Sequence, residues 1–379
     1  MNLNNAVYLK SDIQPRDWNN TLKEINEAHI LQTWEWGHVK SKFGWQPFYS
    51  YWIDENNRKL AAAMILEKTL TFRIGFPQLR ILYVPKGPIL NWENEELRRD
   101  VLRELTRFGK KRNAIFIKID PDVNLGFGIL GESNNQNGYS NETTSEVFRE
   151  LGWVYSKEQI QFRNTVVINL QPALEDLLRN MKQKTRYNIR LASRKGVEIR
   201  EGTESDFPLL FDMYSQTALR DGFVIREFKY YQDIWTKFFQ RRMAVPLIAE
   251  YENVPLAAII LFYFAHKAWF LYGMSTNSHR EKMPNYFLQW AAISKAKALG
   301  CEEYDFWGAP EEFTPDDPLW GVYKFKSGFG GQVVRRIGAW DYVFHPFYYK
   351  LYMQLIPFTL NLMRKKSFYR NQIGNSMSP

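Results

Sequence analysis

The residues best equipped for chemistry lie toward the end of the chain. Tyr304-Asp-Phe-Trp-Gly308 reads as a strand running into a glycine turn, and an acidic, proline-bearing loop from Glu311 to Asp317 follows it. Next comes Gly321-Val-Tyr-Lys-Phe-Lys-Ser-Gly-Phe-Gly-Gly331. Alternation there predicts a strand, with Tyr323 and Phe325 on one face and Lys324 and Lys326 on the other. The glycines that end it permit close approach of backbone to a ligand. This is not a Walker phosphate loop, because the glycines follow the lysines and no Gly-Lys-Ser/Thr ending occurs.

Two other segments carry charge in a usable pattern. Arg226 and Tyr230 stand one helical turn apart after the turn signal Asp221-Gly222, and an arginine so placed suits bidentate phosphate contact. Upstream, a helix is expected from about Pro172, with Leu174, Leu178, Met181, Ile189 and Ala192 on its buried face and Gly196 at its end. Lys182, Arg186, Arg190 and Arg194 recur every fourth residue on it, flanked by Arg179, Lys184 and Lys195, and no acid interrupts the run. The stripe reads as a solvated face or as a track for a phosphate-bearing partner, and uncompensated like charge weighs toward the second.

Several chemistries lack their parts. The five histidines, His29, His38, His266, His279 and His345, form no metal-ligand spacing with each other or with the single cysteine, Cys301. There is no Gly-x-Ser-x-Gly elbow and no Gly-x-Gly-x-x-Gly turn. A reaction needing no metal, no nucleotide cofactor and no covalent nucleophile is expected.

The elements that must position these residues come in duplicate. At 379 residues the chain suits two domains, and 45% hydrophobic with 24% charged residues is the composition of a globular protein. Trp45 to Ile53 alternates as a strand, a turn follows, and Leu60 to Leu66 returns; Val245 to Tyr251, Glu252-Asn253 and Leu256 to Phe264 repeat the pattern. Each hairpin carries Leu-Ala-Ala in its second strand, and each is followed by a strand with Leu-Tyr, at Leu82 and Leu271. A helix comes next, Glu95 to Lys111 and Asn285 to Leu299, then a short strand ending in an acid, Asp120 and Asp305. The offset stays near roughly 190 residues, which marks a duplicated α/β unit with mixed sheets. Between the copies, Pro121 to Ser145 is rich in Asn, Gly and Ser and reads as a long loop.

The polar start, Met1 to Arg16, has no apolar core of a signal peptide, and no apolar run approaches the ~20 residues of a spanning helix. A cytoplasmic location is expected. A net charge of +9 favours polyanionic partners, and aromatics at 16% suit a long stacking groove as well as a core.

Taken together, Thr185-Arg-Tyr-Asn-Ile-Arg-Leu-Ala192 with Lys195-Gly-Val, Arg220-Asp-Gly-Phe223, Leu271-Tyr-Gly-Met-Ser275, Tyr304-Asp-Phe-Trp-Gly308 and Tyr323-Lys-Phe-Lys-Ser-Gly-Phe-Gly-Gly331 resemble the Fem transferases. The resemblance spans nearly the whole chain and is strongest from 180 to 350. It implies an α/β (α+β) fold of two tandem acetyltransferase-like domains, 1–160 and 161–337, with 338–379 returning to the first. The long coiled-coil arm of some members is not expected, since no sustained heptads occur. The implied reaction moves an amino acid from aminoacyl-tRNA to the stem-peptide amine of a peptidoglycan precursor, either lipid II or a UDP-linked muropeptide, with no cofactor.

By position, the resemblance makes Lys326 the active-site lysine. Lys40 and Arg226 become the grip on the precursor diphosphate, while Tyr230, Tyr272 and Phe325 line the precursor site. Lys182, Arg186, Arg190 and Arg194 become the candidate tRNA contact. A monomer is expected, with the tail Tyr342 to Lys366 packed on the first domain or leaning on the membrane through Arg364-Lys-Lys366. Two rivals remain, an acetyl-CoA-dependent N-acyltransferase and a non-catalytic RNA- or precursor-binding protein. Against the first, Arg280-Glu-Lys-Met-Pro-Asn285 has a proline where a pyrophosphate-gripping turn has glycines.

Overall fold

Both hairpins expected from alternation form, and each seeds a mixed sheet. The computed structural model describes residues 7–9, 14–25, 28–70, 78–132, 136–137 and 141–355. The first half runs through β1 (Val7–Leu9), α1 (Pro15–Glu24), α2 (Trp34–Ser41), β2 (Gln46–Ile53), β3 (Lys59–Leu70), β4 (Leu79–Val84), β5 (Ile89–Leu90), α3 (Glu95–Lys111) and β6 (Ala114–Ile119). A connecting stretch holds β7 (Asn124–Phe127), β8 (Gln136–Asn137), α4 (Asn141–Glu150) and β9 (Val154–Tyr155). The second half begins with β10 (Asn164–Asn169), α5 (Leu174–Asn180), α6 (Gln183–Arg194), β11 (Glu198–Glu201), α7 (Phe207–Asp221) and α8 (Phe228–Gln240). It continues through β12 (Ala244–Tyr251), β13 (Val254–Phe264), β14 (Lys267–Ser275), α9 (Pro284–Ala298), β15 (Glu303–Asp305), α10 (Trp320–Lys326) and β16 (Gln332–Arg336), and β17 (Trp340–Val343) follows.

The first sheet has the order β1-β2-β3-β4-β6-β17-β9, with β5 on β3, and the second the order β11-β12-β13-β14-β15-β10-β16-β7-β8. In both, the hairpin and its third strand are antiparallel, and the strand after the helix pairs in parallel, β6 on β4 and β15 on β14. This is the repeat read from the sequence. The cut between the halves is less clean than residue 160, because β7 and β8 belong to the second sheet. Phe127 pairs with Val334 of β16, which satisfies backbone groups that an open edge would leave bare. The stretch expected as one long loop is therefore partly strand.

The continuous apolar run of β13 follows from burial on both faces. Ala258, Ile260 and Phe262 face one core, while Ala257, Ile259 and Leu261 face another under α5, α6 and α9. The first core is shared by both halves. It also takes Ala62, Met64 and Leu66 of β3, with Trp18, Leu22 and Val39 of α1 and α2 and Phe207, Ile234, Trp235 and Phe238 of α7 and α8 between the sheets. Four helices sandwiched by two sheets thus bind the halves into one body.

Buried polar contacts fix the angle of α2. The Gln32 side chain donates to the Pro85 carbonyl at 2.6 Å and accepts from the Met64 amide at 2.7 Å, and Thr33 caps the helix. Gly37 lets α2 lie directly on the sheet, since a Cβ there would collide with Tyr49 and Met64.

β17 returns the chain to the first sheet between β6 and β9, and residues 346–355 continue as helix. Tyr349 and Tyr352 pack on Phe116 at 5.3 Å each, while Phe347 is 75% exposed. Arg364 to Lys366 lie outside the described residues. Within β17, Asp341 is fully buried, with Lys118 Nζ at 2.9 Å and the Tyr349 hydroxyl donating at 2.8 Å. Asp341→Ala strands the buried Lys118 ammonium, so it is expected to lower stability by about 3–5 kcal/mol in chemical denaturation.

Candidate functional site

The second sheet opens between its parallel strands. β14 and β15 pair only over Lys267–Trp269 and Glu303–Asp305. After Asp305 the chain stays with β10, where the Phe306 amide bonds the Val166 carbonyl and the Ala309 amide the Asn164 carbonyl, at 2.9 and 2.8 Å. β14 instead runs on to Ser275, with a bulge where Leu271 is skipped in its register with β13. The bulge turns Phe270 toward the core under α6 and α9, and Tyr272 toward the core under α7 and α8. β14 and β15 thus part beyond Trp269 and Asp305, leaving a gap in their pairing.

Lys326 sits beside that gap, between Phe270 of β14 and the turn after β15. Its Nζ donates to the carbonyls of Trp307 and Gly308 at 2.7 and 2.6 Å, and lies 5.9 Å from the Phe270 ring centroid. Trp307 and Gly308 present these carbonyls through left-handed backbone, φ 53° and 86°. The side chain is 4% exposed. Burial lowers its pKa to about 7, opposed by the negative charge of Asp305. An ammonium has three N–H groups and an amine two plus a lone pair. With two N–H groups held by carbonyls, the remaining position is a donor or an acceptor according to pH.

The segment holding Lys326 is a helix, not the strand predicted from alternation. Helical spacing brings Phe325 and Phe329 together at 5.1 Å, with Tyr286 of α9 at 5.1 Å from Phe325. Packing of these aromatics overrode the period-2 pattern. Two consequences correct the sequence reading. Lys324 leaves the Lys326 face and lies exposed over Trp320 at 5.3 Å. Phe325, expected to line the precursor site, is partly buried and packs against the core of the second half.

On the opposite face, three cations meet where the halves join. The Lys40 ammonium of α2 donates to the Tyr230 hydroxyl at 2.6 Å and lies 4.6 Å from the Trp36 ring. The Arg226 guanidinium, just ahead of α8, stacks 4.7 Å from the Tyr230 ring. Lys68 of β3 completes the group; burial lowers its pKa, and so do Arg226 and Lys40. Lys40 is shifted to about 7 by burial and then by Arg226. Among the described residues no carboxylate acts on Lys40 or Lys68. Their neighbours Lys42 and Lys229 share Asp233, at 3.0 and 3.1 Å. Cations left unpaired beside paired ones make a receptor for an anion. Tyr272 lies beneath, edge-on to Tyr214, Tyr231, Trp235 and Phe262 within 5.7–6.0 Å.

The basic stripe adjoins Lys326. The long helix expected from Pro172 breaks at Met181, which is buried with extended backbone, so Lys182 becomes the residue before α6. Its amide bonds the Gly328 carbonyl at 2.9 Å and its ammonium the Ser327 hydroxyl at 3.3 Å. Gly328 allows this approach, because a Cβ there would strike Thr185. Arg186 is drawn back to the carbonyls of Arg179 and Met181, finishing α5. Arg190 and Arg194 are exposed. The structure thus divides the four, with Arg186 bracing the helix break and Arg190 and Arg194 facing solvent.

Sequence reasoning missed Lys68, His29 and a buried ion chain. His29 sits between Trp269 and Trp307 at 5.0 and 5.8 Å, its Nδ1 accepting from the Leu31 amide at 3.0 Å. Burial lowers its pKa well below the usual histidine value. The chain of ions runs Lys86–Asp122–Arg336–Asp305, with 3.3 Å at its first contact and 3.2 Å at its last. Only the acids ending the repeated short strands gave a signal, through Asp305. No group of three or more potential metal ligands gathers among the described residues.

Comparison with known proteins places this geometry in a lineage. The FemAB family model matches residues 13–252 and 241–356. A Staphylococcus haemolyticus protein named lipid II:glycine glycyltransferase is 22% identical over 415 residues, covering 92% of this chain and 96% of its own. A Staphylococcus aureus (strain USA300) protein of the same name is 22% identical, with 89% and 93% covered. The crystal structure of FemX superposes with a TM-score of 0.78 at 20% identity, covering 90% of this chain and 98% of that one.

The cation cluster makes a direct test available. Sulfate, whose charge does not change between pH 6 and 8.5, is expected to bind less tightly as pH rises through that range, because the pKa of the Lys40 ammonium is held down to about 7. Lys40→Met should flatten that dependence and weaken binding about tenfold, read by calorimetric titration.

Proposed function

The chain belongs to the FemAB family, and on that premise we propose that it transfers an aminoacyl group from aminoacyl-tRNA to the stem-peptide amine of a lipid-linked peptidoglycan precursor. The observation that carries this reading is the gap in the second sheet. Lys326 and the α6 stripe stand beside it, and the Lys40, Lys68 and Arg226 cations stand on the other face. Two phosphate-bearing substrates then approach from opposite sides and meet in the gap. The name shared by the staphylococcal relatives supports lipid II as the acceptor class.

The chemistry needs little beyond positioning, because an aminoacyl ester is already activated. The acceptor amine attacks the ester carbonyl, forming the C–N bond; the C–O bond to the ribose breaks, and the amine proton passes to the departing hydroxyl. The ammonium of Lys326 donates to the oxyanion that develops on the carbonyl oxygen. When Lys326 begins as the neutral amine, it takes the proton from the attacking amine, donates as the ammonium so formed, and passes that proton on to the departing ribose hydroxyl. A pKa near 7 makes both forms available at neutral pH. On the other face, Lys40 and Arg226 hold the diphosphate, with Lys68 as a third cation and Tyr230 between them. Arg190 and Arg194 face the tRNA phosphates, and Lys182 leads toward Lys326.

The acetyl-CoA reading gains nothing from α9. That helix starts on Pro284, which has no N–H, after a left-handed Met283. The turn is therefore short of the amides that grip a pyrophosphate.

Joint reversal, Arg190→Glu with Arg194→Glu, is expected to weaken binding of every charged tRNA. It should reduce the slope of log affinity against log salt by roughly one per lost phosphate contact. Precursor affinity should stay constant. An unchanged tRNA slope returns this face of α6 to solvent.

A further inference from the structure

The ion chain behind Lys326 ends at the turn that holds the amine. Asp305 uses both carboxylate oxygens. Oδ1 accepts from the Trp307 amide at 2.7 Å and from the Thr165 hydroxyl at 2.5 Å, and Oδ2 accepts from Arg336 at 3.2 Å. The Trp307 peptide nitrogen is thus tied to Asp305, while the same residue's carbonyl accepts from Lys326. Asp305 is 3% exposed, and Arg336 is 5% exposed. Arg336 also pairs with Asp122, which pairs with Lys86 at the turn after β4 of the first half.

We infer that Asp305 is a positioning residue for Lys326: it fixes the left-handed Trp307–Gly308 turn that cradles the amine, and its carboxylate, shared with Arg336, sets the balance between amine and ammonium. Counted by charge, Lys86, Asp122, Arg336 and Asp305 sum to zero. To this chain of four a neutral Lys326 adds no charge, and a protonated one adds +1. Buried net charge is costly, so the cluster permits the neutral amine, while the nearby carboxylate keeps the ammonium within reach.

Other charged groups stand on the elements packed around the turn. Glu303 lies two residues before Asp305 in β15, Lys86 lies 5.8 Å from the Trp307 ring, His29 packs on the same ring, Lys182 just before α6 reaches Ser327, and the helix itself carries Lys324. The charge that acts on Lys326 is Asp305. His29 is buried and held below its usual pKa, so it stays neutral over the working range.

This inference rests on the transfer reading for its meaning, but its test does not. Protein labelled with 13C at the lysine ε-carbons is titrated by NMR, and the Lys326 resonance is assigned by its loss in Lys326→Met. Asp305→Asn is expected to lower the Lys326 midpoint by about one pH unit, because a favourable negative charge is gone. Arg336→Gln is expected to raise it by a similar amount, because Asp305 no longer shares its charge. Thr165→Val keeps every charge, is nearly isosteric, and is expected to raise the midpoint in the same sense. It carries the test if a charged variant does not fold. Opposite shifts from Asp305→Asn and from Arg336→Gln or Thr165→Val support the assignment. Folded variants whose Lys326 midpoint stays in place overturn it. The pH profile of aminoacyl transfer should move with the NMR midpoint. A midpoint that moves while the profile does not leaves the charge coupling intact and refutes the role of Lys326 in transfer.

Discussion

Two parallel strands that separate after three paired residues govern the rest of this molecule. Once the chain beyond Asp305 follows β10 rather than β14, a sheet otherwise joined by hydrogen bonds has a gap in its pairing. Backbone groups beside such a gap must find other partners. Here the carbonyls of Trp307 and Gly308 find the Lys326 amine. The same contact that satisfies the fold therefore places a titratable nitrogen at the opening. Taking that nitrogen from its ordinary pKa of 10.5 to about 7 disfavours its charged form by roughly 5 kcal/mol. That cost is borne by the packing around α10.

The duplicated architecture gives the two copies different work. In the first half, β4 and β6 stay paired from Arg80 to Val84, and Asp120 after β6 accepts from the Tyr83 hydroxyl and the Lys86 amide. No such gap opens there, and that copy instead supplies α2 and β3 as a wall carrying Lys40 and Lys68. In the second half the corresponding strands part and the corresponding acid, Asp305, supports the amine. Sharing one core between the sheets makes the division workable, since α2 and α8 pack against each other within it. Lys40 thereby reaches Tyr230, 190 residues away in sequence, and shares that tyrosine with Arg226.

Much of this was legible in the chain, for identifiable reasons. The hairpins at Gln46–Leu70 and Ala244–Phe264 are set by period-2 alternation and polar turns, which are local signals. The Fem resemblance pointed to Lys326, Lys40, Arg226, Tyr230 and Tyr272, of which Lys40 and Arg226 meet on Tyr230. What local pattern hid was tertiary. Tyr323 to Lys326 alternates like a strand but folds as a helix, because Phe325 and Phe329 pack on Tyr286. The break at Met181 depends on a buried side chain and on contact with Gly328, neither visible in a basic run. Lys68, Lys86, Asp122 and Arg336 sit in ordinary-looking contexts, and only the closure of two sheets brings them to the site.

The central claim is that one chain brings a charged tRNA and a lipid-linked precursor to the two sides of Lys326. Its most direct test is a reaction of the purified protein with mixed aminoacyl-tRNAs and lipid II, followed by mass spectrometry of the precursor. Binding of both substrates is measured alongside, with Lys326→Met as the comparison. The account predicts a precursor heavier by an aminoacyl residue for the wild-type chain. For Lys326→Met it predicts loss of that product by at least about a hundredfold with both affinities retained. An unmodified precursor under conditions where both substrates bind, or full product from Lys326→Met, would contradict it.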